Sequence, residues 1–195
     1  MTIDCPTNSP PWYALQVKSR RESFVASYLS GRGYECFLPV HKVIRRWSDR
    51  SKELVQPLFP SYLFCRFPFN DRLPVLMAPG VLYAVGTGKT PKAIEDREIN
   101  ALQLAVASGL PSEPWPYMEV GEQVRVQCGP IAGMEGILIQ FKGNHRVVLS
   151  VSLLRRSVAI EVDFSWVAPL NPSREGKRPR AAIRPEYEAV PLVES

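Results

Sequence analysis

The stretch PLFPSYLF, residues 57–64, is the part of the sequence that decides the fold of this chain. Proline has no N–H to donate to a sheet ladder, so a central strand begins only after Pro60. From Tyr62 to Phe67 the residues favour β-structure without a break, as in a strand that is covered on both faces. The stretch therefore predicts a stiff bend that brings Phe59 and Tyr62 to the start of a buried strand.

The residues around this stretch follow an α+β pattern. A capping box formed by Ser19 and Glu22 predicts the start of a first helix, whose apolar stripe runs from Phe24 to Leu29. One antiparallel sheet with packed helices is the arrangement that the order of elements favours. Strands are predicted over 12–17, in a protruding hairpin over 35–56, over 62–67 and over 81–85; further helices are predicted after Asn70 or Asp71 and from about Asp96 to Gly109.

The second half of the chain has a different character. Prolines cluster in residues 110–118, which predicts an extended linker. Short apolar runs separated by glycines over residues 119–170 predict a small all-β barrel. We expect residues 1–11 to be a flexible N-terminus and residues 171–195, with their prolines and scattered charges, to be a disordered tail.

Composition excludes several classes of protein. A hydrophobic content of 45% is that of a globular protein. No apolar run approaches the roughly 20 residues that a membrane helix needs, and the first residues carry no basic, apolar leader, so we expect a cytoplasmic protein without membrane contact. The four cysteines and two histidines lack the spacing of a metal site, which predicts reduced structural thiols, no metal and no cofactor.

Basic residues are concentrated in one part of the chain. The net charge is +5. Residues 12–111 hold 14 Lys or Arg against 8 Asp or Glu, whereas residues 117–170 hold 5 of each kind. An excess confined to one domain predicts that this domain faces a polyanion, with a solvated basic face as the alternative.

Two further motifs accompany the 57–64 stretch, namely Trp12-Tyr13 upstream and GPIAGMEG over residues 129–136. Together they resemble the NusG family of transcription elongation factors over about residues 12–170. The resemblance implies a NusG-type N-terminal domain over 12–109 and an SH3-like KOW barrel over 119–170. The compressed 59–62 motif is similar to that of the specialised RfaH and UpxY-like antiterminators, although the family usually has glycine where Ser61 stands.

The resemblance implies a binding site for the clamp helices of RNA polymerase. Phe59 and Tyr62 correspond to an apolar depression that grips those helices, and Trp12, Tyr13 and Phe64 lie near them in the motif. Such a site is a helix-in-groove interface, in which a few buried aromatic side chains supply most of the binding energy. For the last three residues, the alternative is that they simply form the core of the sheet.

The resemblance also places the hairpin and the first helix near upstream duplex DNA and the displaced non-template strand. Cations with an interleaved aromatic, here Trp47, suit phosphate contacts and stacking on an exposed base. One of these cations, Arg72, stands where RfaH-like members read the non-template strand. The predicted nucleic-acid-binding residues are Lys18, Arg20, Arg21, Arg45, Arg46, Arg50, Lys52 and Arg72.

Residues outside these sets bear on the partner and on rival functions. Ile131 stands where the family presents an apolar residue to a small-subunit ribosomal protein or to Rho; the alternative is that it fills the barrel mouth.

A ribosome-associated or RNA-binding KOW protein is the main rival function, and the barrel of such a protein would be basic. An enzyme is disfavoured because His41 and His145 have no nucleophile at a useful spacing and residues 86–90 lack the spacing of a phosphate loop. The resemblance thus implies an elongation and antitermination factor, and we expect it to be monomeric and non-enzymatic.

Overall fold

The structure is a computed structural model that describes residues 9–46, 51–87, 90–115, 117, 121–141 and 143–170. Its helices are α1 (Glu22–Ser30), α2 (Arg72–Leu76) and α3 (Asp96–Ala107). In the first half of the chain the strands are β1 (Trp12–Val17), β2 (Glu35–Phe37), β3 (Val40–Arg46), β4 (Ser51–Pro57), β5 (Tyr62–Arg66), β6 (Val81–Ala84), β7 (Gly86–Thr87), β8 (Thr90–Pro91) and β9 (Ala93–Ile94). The second half contributes β10 (Ser112–Trp115), β11 (Glu122–Val126), β12 (Glu135–Phe141), β13 (Asn144–Val151), β14 (Arg156–Val162) and β15 (Val167–Pro169).

The N-terminal sheet is antiparallel and has the strand order β2-β5-β1-β6, with β9 also paired to β1. β5 begins immediately after the predicted bend, and its Tyr62 lies opposite Gln16 of β1. Among the described residues, β3 and β4 pair only with each other and form a hairpin. The hairpin is shorter than predicted, because residues 35–37 form β2 and pair with β5 in the main sheet. The predicted α+β class is therefore confirmed for this part of the chain.

The sheet buries side chains on both faces, so consecutive residues of β1 enter different cores. Trp12 and Ala14 belong to one buried cluster. Tyr13 and Leu15 belong to the other, together with Val25 of α1. This alternation follows from the two-residue period of a strand. Both cores depend on the central strands β1 and β5, which explains why their sequences are apolar at nearly every position.

The C-terminal half is all-β, as predicted. Its strands form an antiparallel sheet in the order β10-β14-β13-β12-β11-β15, which we call the β-domain. β10 comes from the segment predicted as an extended linker: Ser112 pairs with Ile160 and Trp115 with Ser157. Most of the prolines expected to stiffen a linker therefore flank or lie within an edge strand, a position that tolerates a missing N–H.

The β-domain packs against α3 and one face of the N-terminal sheet. Trp12, Phe59 and Ile99 share a single buried cluster with Leu149 and Ile160 of the β-domain. The hydroxyl of Ser152 donates a hydrogen bond to Oε1 of Glu98 in α3 at 3.1 Å. The two halves are therefore joined by a common apolar core with polar contacts at its edge.

The predicted capping box of α1 is wrong. The helix begins at Glu22, its N-cap residue is Arg21, and no side chain caps it. Glu22 is buried, and its carboxylate accepts a hydrogen bond from the backbone N–H of Ser61 at 2.9 Å. Glu22 therefore bonds to a residue 39 positions away in sequence rather than to a backbone N–H at the start of its own helix. Within the described ranges, no helix is both long and apolar enough to cross a membrane.

Candidate functional site

The bend at residues 58–61 is fixed by backbone hydrogen bonds from several directions. The N–H of Leu58 donates to the carbonyl of Pro39 at 2.9 Å, and the N–H of Tyr62 donates to the carbonyl of Phe59 at 3.1 Å. The carbonyl of Ser61 accepts from the N–H of Val17 at 2.9 Å. With the bond to Glu22, these contacts tie the bend to the hairpin, to β1 and to α1.

Ser61 occupies a backbone conformation that suits glycine better than serine. Its φ is +67°, in the left-handed region. An L-residue there brings Cβ close to the following carbonyl oxygen, at a cost of roughly 1–2 kcal/mol. The bend therefore favours glycine at position 61 and accommodates serine at a modest cost.

The aromatic side chains of the bend lie under the β-domain. Phe59 is 1% exposed and meets Phe64 edge to face, with ring centroids 5.7 Å apart. Tyr62 is partly buried, and the guanidinium of Arg156 from β14 lies 5.4 Å from its ring centroid. The candidate polymerase-binding face is thus covered in this structure by another part of the same chain.

The structure brings four of the five predicted aromatics together and separates the fifth. Trp12, Phe59 and Phe64 are buried in one cluster, and Tyr62 packs against it. Tyr13 lies on the opposite face of the sheet, where its ring contacts Phe67 with centroids 4.6 Å apart. The alternation of β1 makes this separation unavoidable, because consecutive strand residues point to opposite faces.

The sequence of this chain matches proteins of one family. Residues 10–103 match the family model NusG, described as transcription termination factor nusG. The transcription termination/antitermination protein NusG of Escherichia coli (strain K12) is 28% identical over 170 residues, covering 80% of this chain and 94% of that protein. The chain is therefore similar to NusG proteins over most of its length.

Other comparisons agree in sequence and in fold. The protein of the same name from Vibrio vulnificus (strain CMCP6) is 29% identical over 175 residues and covers 82% of this chain and 96% of that protein. A solved structure titled "Domain interaction in Thermotoga maritima NusG" superposes with a TM-score of 0.52 at 21% identity. It covers 83% of this chain and 97% of that one, so the NusG fold extends over both halves.

The basic residues predicted to bind nucleic acid lie at three places in the N-terminal half of the chain. Lys18, Arg20 and Arg21 are exposed where β1 passes into α1. Arg72 is the first residue of α2; its guanidinium donates to the carbonyl of Phe69 at 3.0 Å and lies 4.3 Å from the Phe69 ring centroid. These cations remain accessible while the β-domain covers the aromatic face around Phe59 and Tyr62.

The hairpin holds the remaining basic residues of the predicted set. Arg45 and Arg46 are the last residues of β3, and Lys52 lies on β4, opposite Arg45. Arg50, together with Trp47, falls outside the described residues. Nearby, the exposed Lys42 pairs with Glu53 at 2.7 Å, and this hydrogen bond and the charge of Glu53 raise the pKa of Lys42.

The sequence interpretation missed an exposed row of side chains along α1. The guanidinium of Arg21 lies 5.5 Å from the ring of Phe24, the rings of Phe24 and Tyr28 are stacked at 6.2 Å, and Arg32 lies 4.1 Å from the ring of Tyr28. We call these four residues the α1 ladder. Phe24 is 47% exposed, so it does not belong to the buried stripe in which the sequence placed it.

The alternation of cation and aromatic along a helix was a signal that could have revealed the ladder. Arginines at positions 21 and 32 flank aromatics at positions 24 and 28, and residues three or four apart lie on one helix face. The periodicity was interpreted as a core stripe because it also contains Val25 and Leu29, which are buried. The two sets differ by about one position, which places them on adjacent faces.

In the β-domain, the predicted partner residue Ile131 is fully buried in the cluster shared by both halves. It contributes no exposed surface in this arrangement. Among the described residues, no group of three or more His, Cys, Asp or Glu side chains is placed to hold a metal ion. The site that the geometry presents is therefore an apolar face with adjacent cations.

Proposed function

We propose that this chain is a factor of the NusG family and that it binds RNA polymerase through the face around Phe59 and Tyr62. The observation that carries the proposal is the apolar cluster beneath the β-domain, to which Trp12, Phe59 and Phe64 contribute. The N-terminal half does not cover this face with its own elements alone. A partner helix offers a substitute cover, because helix-in-groove sites use a few buried aromatic anchors.

The polymerase and the β-domain would compete for this face. Binding of the clamp helices requires the Arg156–Tyr62 contact and the shared cluster to open. The apparent affinity for polymerase is then the intrinsic affinity multiplied by the fraction of molecules that are open. Opening would also free the β-domain, which we assign as the KOW barrel, to recruit a second partner such as a ribosomal protein or Rho, and Ile131 is our candidate contact for that partner.

We assign the basic surface to upstream DNA and the displaced non-template strand. The exposed Lys18, Arg20 and Arg21 and the hairpin arginines supply phosphate contacts. Phe24 and Tyr28 of the α1 ladder supply aromatic faces on which unpaired bases stack, and such stacking contributes about 1–3 kcal/mol per base. Cations on both sides of the two rings favour a single strand over an apolar protein partner.

The activity that follows is transcription elongation and antitermination without catalysis. By bridging the polymerase cleft the N-terminal domain would hold the clamp closed and reduce pausing. The β-domain carries equal numbers of acidic and basic residues over 117–170, which disfavours an independent RNA-binding role. We place the chain with the specialised members of the family, acting as a monomer.

Tyr62 is the residue that tests the proposal most cleanly, because it is only partly buried. We expect Tyr62→Ala in the full chain to weaken polymerase binding by about 30-fold, which corresponds to a hot-spot loss of about 2 kcal/mol. Pause lifetimes in purified transcription should lengthen to match. The matched control is Tyr34→Ala, because Tyr34 is also a partly buried tyrosine but packs against the cluster on the other face of the sheet. Equal affinities of the two folded variants would overturn the proposed site.

A further inference from the structure

Two cysteines that are distant in sequence face each other across the N-terminal sheet. Cys36 of β2 lies directly opposite Cys65 of β5, and their sulfur atoms are 3.6 Å apart with both thiols free. Directly opposed residues of an antiparallel pair have Cα atoms about 4.5–5.5 Å apart. Disulfides span Cα separations of 4.4–6.8 Å, so side-chain rotation without backbone movement closes this bond.

The two thiols differ in accessibility and in acidity. Cys65 is fully buried, whereas Cys36 is partly exposed. Hydrogen bonding with the Cys65 thiol, and with the side chain of Ser30, lowers the pKa of Cys36. The same interaction with Cys36, together with burial, raises the pKa of Cys65. Cys36 is therefore the more accessible and more acidic thiol, and Cys65 is a protected thiol held within reach of it.

We propose that Cys36 and Cys65 form a reversible thiol–disulfide site whose oxidant is a hydroperoxide. The Cys36 thiolate attacks one peroxide oxygen, the O–O bond breaks, and hydroxide leaves, which produces a sulfenic acid on Cys36. The Cys65 sulfur then loses its proton and attacks the Cys36 sulfur; the S–S bond forms, the S–O bond breaks, and the hydroxyl group departs as water. One hydrogen peroxide and two thiols give one disulfide and two waters, and a small-molecule thiol reverses the change by exchange.

The cross-link would act on the part of the fold that carries the candidate site. It closes a loop that contains the β3–β4 hairpin and the bend with Phe59 and Ser61. β2 is an edge strand of three residues, so its attachment to β5 is otherwise limited. Loop closure restricts the unfolded chain, and the oxidised protein should therefore resist unfolding better than the reduced one. This property does not depend on polymerase binding.

The test uses the full chain with Cys5→Ser and Cys128→Ser, which leaves only the pair. After treatment with hydrogen peroxide and alkylation, mass spectrometry should show a loss of two hydrogens, no added oxygen and a linked peptide containing Cys36 and Cys65. The melting temperature should rise by roughly 10 °C on oxidation and return on addition of dithiothreitol. A Cys65→Ser change in the same background should leave a sulfenic acid on Cys36 that dimedone traps.

Two results would overturn the proposal. One is that both cysteines of the folded, peroxide-treated chain remain open to alkylation once the protein is denatured. The other is that the only disulfides found join separate chains. Neither result depends on the Cys65→Ser variant, so the proposal stays testable even if that buried substitution prevents folding.

Discussion

Glu22 connects α1 to the bend that carries the candidate site, and its replacement should destabilise the fold measurably. The carboxylate is 6% exposed and accepts the N–H of Ser61 at 2.9 Å. Hydrogen bonds to charged groups contribute about 1.5–3 kcal/mol, so we expect Glu22→Ala to lower the free energy of unfolding by about 2 kcal/mol. For a chain of this size, that loss corresponds to a melting temperature about 4–8 °C lower. Glu22→Gln keeps an acceptor oxygen and should lose only about half as much.

Thermal and urea denaturation followed by circular dichroism measure this effect. The matched control is Glu53→Ala, because Glu53 pairs with Lys42 on the exposed hairpin and such pairs contribute at most about 1 kcal/mol. The expected order of stability is wild type and Glu53→Ala, then Glu22→Gln, then Glu22→Ala. If Glu22→Ala is as stable as the Glu53 control, the bond to the bend does not stabilise the fold and our account of α1 is wrong.

Three further predictions concern the bend, the α1 ladder and the hairpin. Ser61→Gly should raise the free energy of unfolding by about 0.5 kcal/mol in thermal denaturation, because relief of the left-handed strain exceeds the entropy cost of glycine. A loss of stability would show that the backbone of Ser61 is not strained. Tyr28→Ala should weaken binding of a single-stranded oligonucleotide about 10-fold in fluorescence anisotropy, with Tyr83→Ala as control, and unchanged binding would remove the ladder from the interface. Replacing Arg45 and Arg46 by glutamate should reduce crosslinking of the hairpin to upstream DNA while leaving the melting temperature nearly unchanged. Undiminished crosslinking would mean that these arginines are only solvent-exposed charges and do not contact DNA.

Local features of the fold were predictable because local chemistry determines them. Proline positions located the start of β5, and the apolar period of α3 correctly placed Ile99 and Leu102 in the core. Alternating apolar runs separated by glycines indicated an all-β C-terminal half. These inferences needed only neighbours within about ten residues, which is the range over which a sequence pattern reports on structure.

Features that depend on distant partners were not predictable. The capping box failed because Glu22 bonds to Ser61 rather than to its own helix. The spacing of the cysteines gave no sign that Cys36 and Cys65 are opposed, since pairing of β2 with β5 brings them together. The burial of Phe59 beneath the β-domain depends on the packing of two halves, which periodicity within either half does not report.

The central claim is that polymerase and the β-domain compete for the face around Tyr62. A protease site inserted after the exposed Gly109 tests this claim, because it severs the N-terminal domain from β10 and the rest of the β-domain. Cleavage removes the high effective concentration that the tether provides, so the β-domain should dissociate at micromolar protein. Our account predicts that cleavage tightens polymerase binding, measured by fluorescence anisotropy, and that Tyr62→Ala weakens it in the cleaved protein. Unchanged or weaker binding after cleavage, with the N-terminal fragment still folded, would contradict the account.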